Sequence, residues 1–292
     1  MNQILIENDI LSAIIDLHGA ELKSIRRKCD NREYLWDGSF GWKRSAPVLF
    51  PNIGGLAGER YIYRSQEYPA PPHGFARDMN FSLLSSGTAC AQLCLFSSPA
   101  TQEYFPFQFS LEIIYRLEEN CISTTWIVSN LDTKDMYFSI GAHPGFCLLP
   151  GTTLEDYTLH FDRTIDVVTR RVQGRYLTPY RETLAQEVSS LSLSPQLLAQ
   201  DAIILEDTGI RTIALEGPDY KLVLDFPDFP VVALWTDPHT VEQARFLCLE
   251  PWCGINALSD EPKCDISQKA RINMVRPGQR FMRTYRIGVN MT

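Results

Sequence analysis

The stretch "SLEIIYRLEENCISTTWIVSNL" constrains this chain more than any other. Apolar and polar residues alternate through both of its arms, and β-branched and aromatic side chains are frequent. A period of two marks a strand with one buried face, and Glu118, Glu119 and Asn120 between the arms supply a turn. The segment predicts one antiparallel hairpin, long on both sides. Runs of the same kind recur from end to end, among them "ILSAIIDLHG", "MYFSIGAHPGF", "KLVLDFPDF", "VVALWTD" and "FLCLEPW". Turn-formers such as Gly217-Pro218-Asp219 and Pro277-Gly278 punctuate them. Helical signals are few; the clearest is "SPQLLAQ", where Ser194 can cap and Pro195 can take the first helical position. Nothing in the composition marks a linker or repeat. The pattern predicts an all-β chain, residues 1–292 forming one β-sandwich domain of large antiparallel sheets packed face to face.

With 292 residues, 45% of them hydrophobic, such a chain can bury a large core. A net charge of −8 without a basic block argues against nucleic acid and against an anionic membrane as partners. The opening "MNQILIENDILSAIIDLHGAEL" places acids where a secretory signal would be greasy, so the expected location is cytoplasmic. The eight cysteines are scattered without a CxxC pair, which predicts reduced thiols rather than a disulfide set. Of these, Cys248 and Cys253 bracket a glutamate and form the pair most open to oxidation.

That glutamate is Glu250, in "RFLCLEPWCG". Phe246, Leu247, Cys248 and Leu249 are apolar on both strand faces, so the strand reads as buried on both sides, with Trp252 on the same face as Glu250. A carboxylate there either reaches water from the strand end or serves a site, because unpaired burial costs several kcal/mol or forces protonation. In "IGAHPGF", Pro144 holds His143 in extended backbone. His143 then shares a face with Ser139, Gly141 and Gly145, which leaves room for packing or for a ligand. In "YPAPPHGFARDMNF", three prolines and Gly74 make a stiff loop that presents His73 and Arg77; it is either a rigid surface crossing or one wall of a site. Asp201 sits where the "SPQLLAQ" turn hands over to a strand, and an acid there commonly just ends the turn. Arg44, in "KRSAPVLFPNIGGLAGE", has the ordinary reading of a solvated cation, and the glycines that follow lack the Gly-Lys-Ser/Thr ending of a phosphate loop. His18-Gly19 marks a turn between the first strands. No HxH or HExxH unit puts two metal ligands on one face, and no GxSxG elbow is present. Acid–base chemistry by imidazole and carboxylate remains.

"HGFAR", "GAHPGF" and "LEPWCG", in that order, with "SAPVLFPNIGG" and "QDAIIL" as flanking motifs, resemble the aldose 1-epimerase (galactose mutarotase) family, nearest its LacX-like branch. The resemblance runs from "HGAELKSI" to "VRPGQRF" and "YRI", almost the whole chain. It implies a galactose mutarotase-like β-sandwich and a cofactor-independent, metal-free isomerase acting on an aldohexose such as galactose or glucose, as monomer or homodimer. By motif it implies His143 as general acid and Glu250 as general base, with His73, Asp201 and Arg44 holding the sugar. Arg44 lacks the Arg-Gly-Gly setting of the hexose-phosphate epimerases. Arg77 is shared with that branch, which keeps a 6-phosphate substrate open. The rival of another class is a non-catalytic sugar binder on the same fold, against which the presence of both His143 and Glu250 favours the enzyme. In such a site burial would raise the glutamate, and a nearby carboxylate would hold the histidine partly protonated.

Overall fold

The computed structural model describes residues 2–289. The expected hairpin is present as strands Phe109–Glu118 and Cys121–Asn130, paired from Glu118 opposite Cys121 to Phe109 opposite Asn130. Burial along the second arm alternates strictly, with Ile122, Thr124, Trp126, Val128 and Asn130 inward. Period two in the sequence has become one face on the core. The hairpin lies inside a nine-stranded sheet. Its order is Tyr176–Ser192, Thr158–Gln173, Thr212–Gly217, Tyr220–Asp225, Arg280–Val289, Cys121–Asn130, Phe109–Glu118, Cys90–Phe96 and Ser82–Ser86.

A six-stranded sheet faces it, ordered Ile203–Glu206, Val231–Trp235, Phe246–Cys253, Ile140–Ala142 and Val48–Leu49, with Gly145–Cys147 also paired to Phe246–Cys253. One apolar cluster fills the space between the two sheets. Leu111, Ile113, Trp126, Leu224 and Ile287 enter it from the larger sheet, and Ile140, Leu205, Leu234, Leu247 and Leu249 from the smaller. Face-to-face packing of this kind buries the inner residues of both sheets. A four-stranded sheet over Gln3–Glu7, Leu11–Asp16, Leu22–Arg27 and Arg32–Glu33 adds to the same cluster. The turn at His18 and Gly19 falls between its second and third strands, with Gly19 at φ +72°.

The short helix Pro195–Leu198 forms as expected, its Leu197 amide donating to Ser194 Oγ at 3.2 Å. A second one, Pro99–Gln102 with a capping box on Ser98, has no counterpart in the sequence reading. No helix among the described residues is long and apolar enough to cross a membrane.

Candidate active site

All eight residues of strand Phe246–Cys253 are buried, as apolar character on both faces requires. Its odd residues Leu247, Leu249 and Cys253 join the core between the sheets. Its even residues face the other way: Phe246 and Cys248 belong to one small aromatic cluster and Trp252 to another apolar cluster. Glu250 stands between them, 2% exposed. Cys248 and Cys253 therefore lie on opposite faces, and the expectation that they form an oxidisable pair is corrected by the pleat of the strand. All eight cysteines are free.

Register brings the other residues to the even face. Ala233 lies opposite Glu250, Trp235 opposite Cys248, Gly145 opposite Cys248 on the other side, and Gly141 opposite Trp252. The small residues beside His143 do make room, and tryptophans take it. A Cβ on Gly141 would stand 2.5 Å from Trp252 Cδ1, and one on Gly145 would stand 3.0 Å from Trp42. Trp42 stacks on the His143 ring, with centroids 4.6 Å apart and planes at 23°, while Trp235 meets its edge at 5.5 Å. The Pro144 carbonyl accepts from the Leu249 amide at 3.2 Å, which ties the histidine segment to the Glu250 strand.

His143 Nε2 is 3.3 Å from Glu250 Oε2. His143 is 8% exposed, and its Nδ1, Glu250 Oε2 and the Trp252 indole nitrogen are buried without a hydrogen-bond partner. Burial pushes the Glu250 carboxyl well above the usual carboxylate range, and the nearby Asp201 adds to this. Burial likewise pushes His143 well below the usual imidazole range, aided by His73 and Arg77. The expectation of a partly protonated histidine is thus corrected: desolvation and neighbouring positive charge outweigh the carboxylate, and each member of the pair is driven toward its neutral form.

His73 adopts φ +65° and Gly74 follows at φ +71°. Only glycine fits at 74, because a Cβ there would stand 2.1 Å from the Phe50 carbonyl oxygen. That turn sets the His73 ring 5.7 Å from the His143 ring and lets its Nδ1 accept from the Gly54 amide at 3.3 Å. With Nδ1 an acceptor, the proton of the neutral ring is on Nε2. Burial lowers the pKa of His73 to about 3, so the ring stays neutral.

His73, Arg77, His143, Asp201 and Glu250 line one cavity of about 280 Å³, together with Trp42, Trp235, Trp252, Asn256 and the hairpin-tip residues Val172, Gly174 and Arg175. That is the small end of the roughly 300–1,000 Å³ usual for ligand sites. A larger cavity of about 910 Å³ lies elsewhere, beside Asp30, Trp36 and Arg245, but no histidine lines it. Asp201, at φ +71°, follows the Pro195–Leu198 turn, and burial raises its carboxyl against the pull of the Ala202 amide. Arg77 donates to the Pro72 carbonyl at 2.8 Å, and its Nε lies 3.7 Å from Asp78 Oδ2. Arg44 is not on the cavity wall. It grips Asp78 Oδ1 at 2.5 Å and the Arg77 carbonyl at 3.3 Å, and so braces the loop that carries His73.

The sequence reading missed Trp42, Trp235, Asn256 and the hairpin tip. It also gave no role to Glu21, whose Oε1 accepts from the Ser45 and Ala46 amides at 2.6 and 3.1 Å and so fixes the segment that carries Trp42 and Arg44. An acid directly after the "HGA" turn was the available signal.

Residues 2–265 match the aldose 1-epimerase family. The plasmid-encoded LacX protein of Lactococcus lactis subsp. lactis is 31% identical, covering 97% of this chain and 98% of its own length. A galactose mutarotase related enzyme from Lactobacillus acidophilus superposes with a TM-score of 0.93 at 27% identity, over 99% of this chain and 98% of that one. A galactose mutarotase-like protein from Lactobacillus casei ATCC 334 gives 0.89 at 30% identity, over 99% and 100%. With the family match spanning residues 2–265 and a relative 31% identical over 97% of the chain, the chain belongs to the aldose 1-epimerase family.

Proposed function

We propose that the protein interconverts the α and β anomers of a neutral aldohexose, with Glu250 and His143 moving the protons. The carrying observation is the pair itself: an imidazole and a carboxyl 3.3 Å apart, buried, each with an unpartnered polar atom. Glu250 takes the proton of the C1 hydroxyl while His143 gives one to the ring oxygen, and the hemiacetal opens to the aldehyde. Rotation about C1–C2 turns the other carbonyl face to the pair. The same two groups then act in reverse and close the ring. Between them they hold one proton throughout: it is on His143 when the sugar is closed and on Glu250 when it is open. Nothing has to be exchanged with solvent, which suits a desolvated cleft. The opposed pull on the two groups favours the neutral state needed by the open sugar. In the closed state the C1 hydroxyl donates to the Glu250 carboxylate and the ring oxygen accepts from protonated His143, which stabilises the other state. The His73 Nε2–H donates to a sugar oxygen, Asp201 accepts from hydroxyls, and Asn256 Oδ1, buried and unpartnered, accepts from a further hydroxyl.

Polarimetry of freshly dissolved α-galactose and α-glucose tests this. The unaltered protein should speed the approach to equilibrium rotation. Glu250→Gln should lower kcat by about 10²–10⁴-fold, the usual worth of a positioned acid or base, with a much smaller change in KM. Binding without acceleration would make the protein a sugar binder, and near-normal kcat in the variant would remove Glu250 from the base role.

A further inference from the structure

Cys248 plays no part in the proton chemistry, yet it shares the cleft face of its strand with Glu250. Two residues apart on one strand, the two side chains are a ligand pair with period-two spacing, the β counterpart of the helical pairs that the sequence lacks. The donor atoms of His143, Cys248 and Glu250 lie within 4.8 Å of one another, and all three residues are buried. A point in their plane is then at most about 2.8 Å from each donor, against roughly 2.0–2.3 Å for zinc bonds to nitrogen, oxygen and thiolate sulfur. Side-chain shifts of under about 1 Å close that gap. Glu250 Oε2 is buried, with His143 Nε2 3.3 Å away and no well-formed hydrogen bond to it, so the donor facing the imidazole is available to a metal ion.

We propose that this cleft is also a Zn²⁺ site, in which His143, Cys248 and Glu250 hold the ion and thereby block sugar turnover. Imidazole, thiolate and carboxylate form a ligand set that suits zinc; His143 and Glu250 line the cavity, with the buried Cys248 behind them, so a fourth ligand would come from the cavity side. The thiol and the carboxyl each release a proton to solvent as the ion binds. Two negative ligands then cancel the ion's two positive charges, so the buried complex is neutral and escapes the desolvation cost of an isolated ion. The ion takes the groups that act on the sugar, so the two compete.

Equilibrium dialysis of the unaltered protein against Zn²⁺ alone should find one ion per chain, displaced by excess galactose. Co²⁺ in its place should give a thiolate-to-metal charge-transfer absorption. Cys248→Ala should lose that absorption, bind zinc about tenfold or more weakly, and turn over galactose in zinc concentrations that stop the unaltered protein. Absence of binding, a cobalt spectrum without the thiolate band, or equal zinc sensitivity in Cys248→Ala would each overturn the proposal. The cobalt spectrum decides on the unaltered chain even if the variant folds poorly. The blocking of turnover rests on the proposed function, whereas dialysis needs no turnover: a chain that binds zinc through Cys248 yet opens no sugar keeps the metal site and loses both the epimerase reading and the block.

Discussion

Glu250 and His143 leave opposite signatures in stability. Folding raises the Glu250 carboxyl, so its contribution is complete below the usual carboxylate range and is lost as pH rises through the folded value. Folding lowers His143, so its contribution is complete above the usual imidazole range and is lost as pH falls through the folded value. Glu250→Gln should therefore match the unaltered protein near pH 4 and gain on it toward pH 9, by a few °C in Tm on the order expected for 1–2 kcal/mol. His143→Gln should gain in the opposite direction, toward acid. Thermal melts across that range check both; parallel pH curves for the two variants would mean that the groups are not shifted apart. Both candidates stood out because each sits in a short motif whose own chemistry is odd, an acid after a greasy run and a histidine fixed by proline; the strand then continues past Glu250 to Cys253, so the acid is enclosed rather than at an exit. The tryptophans around them did not stand out. Trp42 reaches His143 from about a hundred residues away, and only strand register places Trp235 beside Cys248.

At the scale of elements, the least expected part of the site is the tip of the hairpin Thr158–Gln173 and Tyr176–Ser192. The arms carry several register shifts, and the second arm is exposed over much of its length, so no apolar alternation announces it. The hairpin 109–130 was readable for the opposite reason, since every second residue of its second arm is inward. The tip is held at the cavity by the Gly55 amide donating to the Arg175 carbonyl at 3.1 Å and by Asn256 Nδ2 donating to the same oxygen at 3.3 Å. A Cβ on Gly55 would stand 2.8 Å from that oxygen, too close for both to stay. Gly55→Ala should displace the tip and raise KM about tenfold, near 1.4 kcal/mol of binding, with kcat less affected. Steady-state kinetics of the variant would refute this if kcat fell while KM held.

For the molecule as a whole, charge decides between sugar and sugar phosphate. A net charge of −8 repels a dianion at long range. Of the two arginines on the cavity wall, Arg175 is paired with Glu59, and Arg77 is held by the Pro72 carbonyl and lies 3.7 Å from Asp78 Oδ2, so neither is a free cation for a phosphate. A dianion needs several charge-assisted hydrogen bonds to replace its hydration. Glucose 6-phosphate should therefore show a kcat/KM about tenfold or more below that of glucose, and rising ionic strength should narrow the gap. A preference for the phosphate that vanishes in Arg77→Ala would move the substrate to phosphosugars and leave the proton chemistry as proposed. Thiol accessibility follows the same layout. Native protein should react promptly at the exposed Cys29, with burial holding Cys94, Cys147 and Cys253 up near 12, and denatured, unreduced protein should titrate eight thiols. The stacking of Trp42 on His143 has one more consequence. Three of the five tryptophans line the cavity, and a fourth, Trp36, donates its indole N–H to the Trp42 carbonyl at 2.8 Å; Trp126 packs apart from them, against Phe229 and Tyr285. The intrinsic fluorescence of the protein is then largely emission from the cleft, over a constant background from Trp126. Titrating Glu250→Gln with galactose should change that emission saturably, giving a dissociation constant without a label and without turnover.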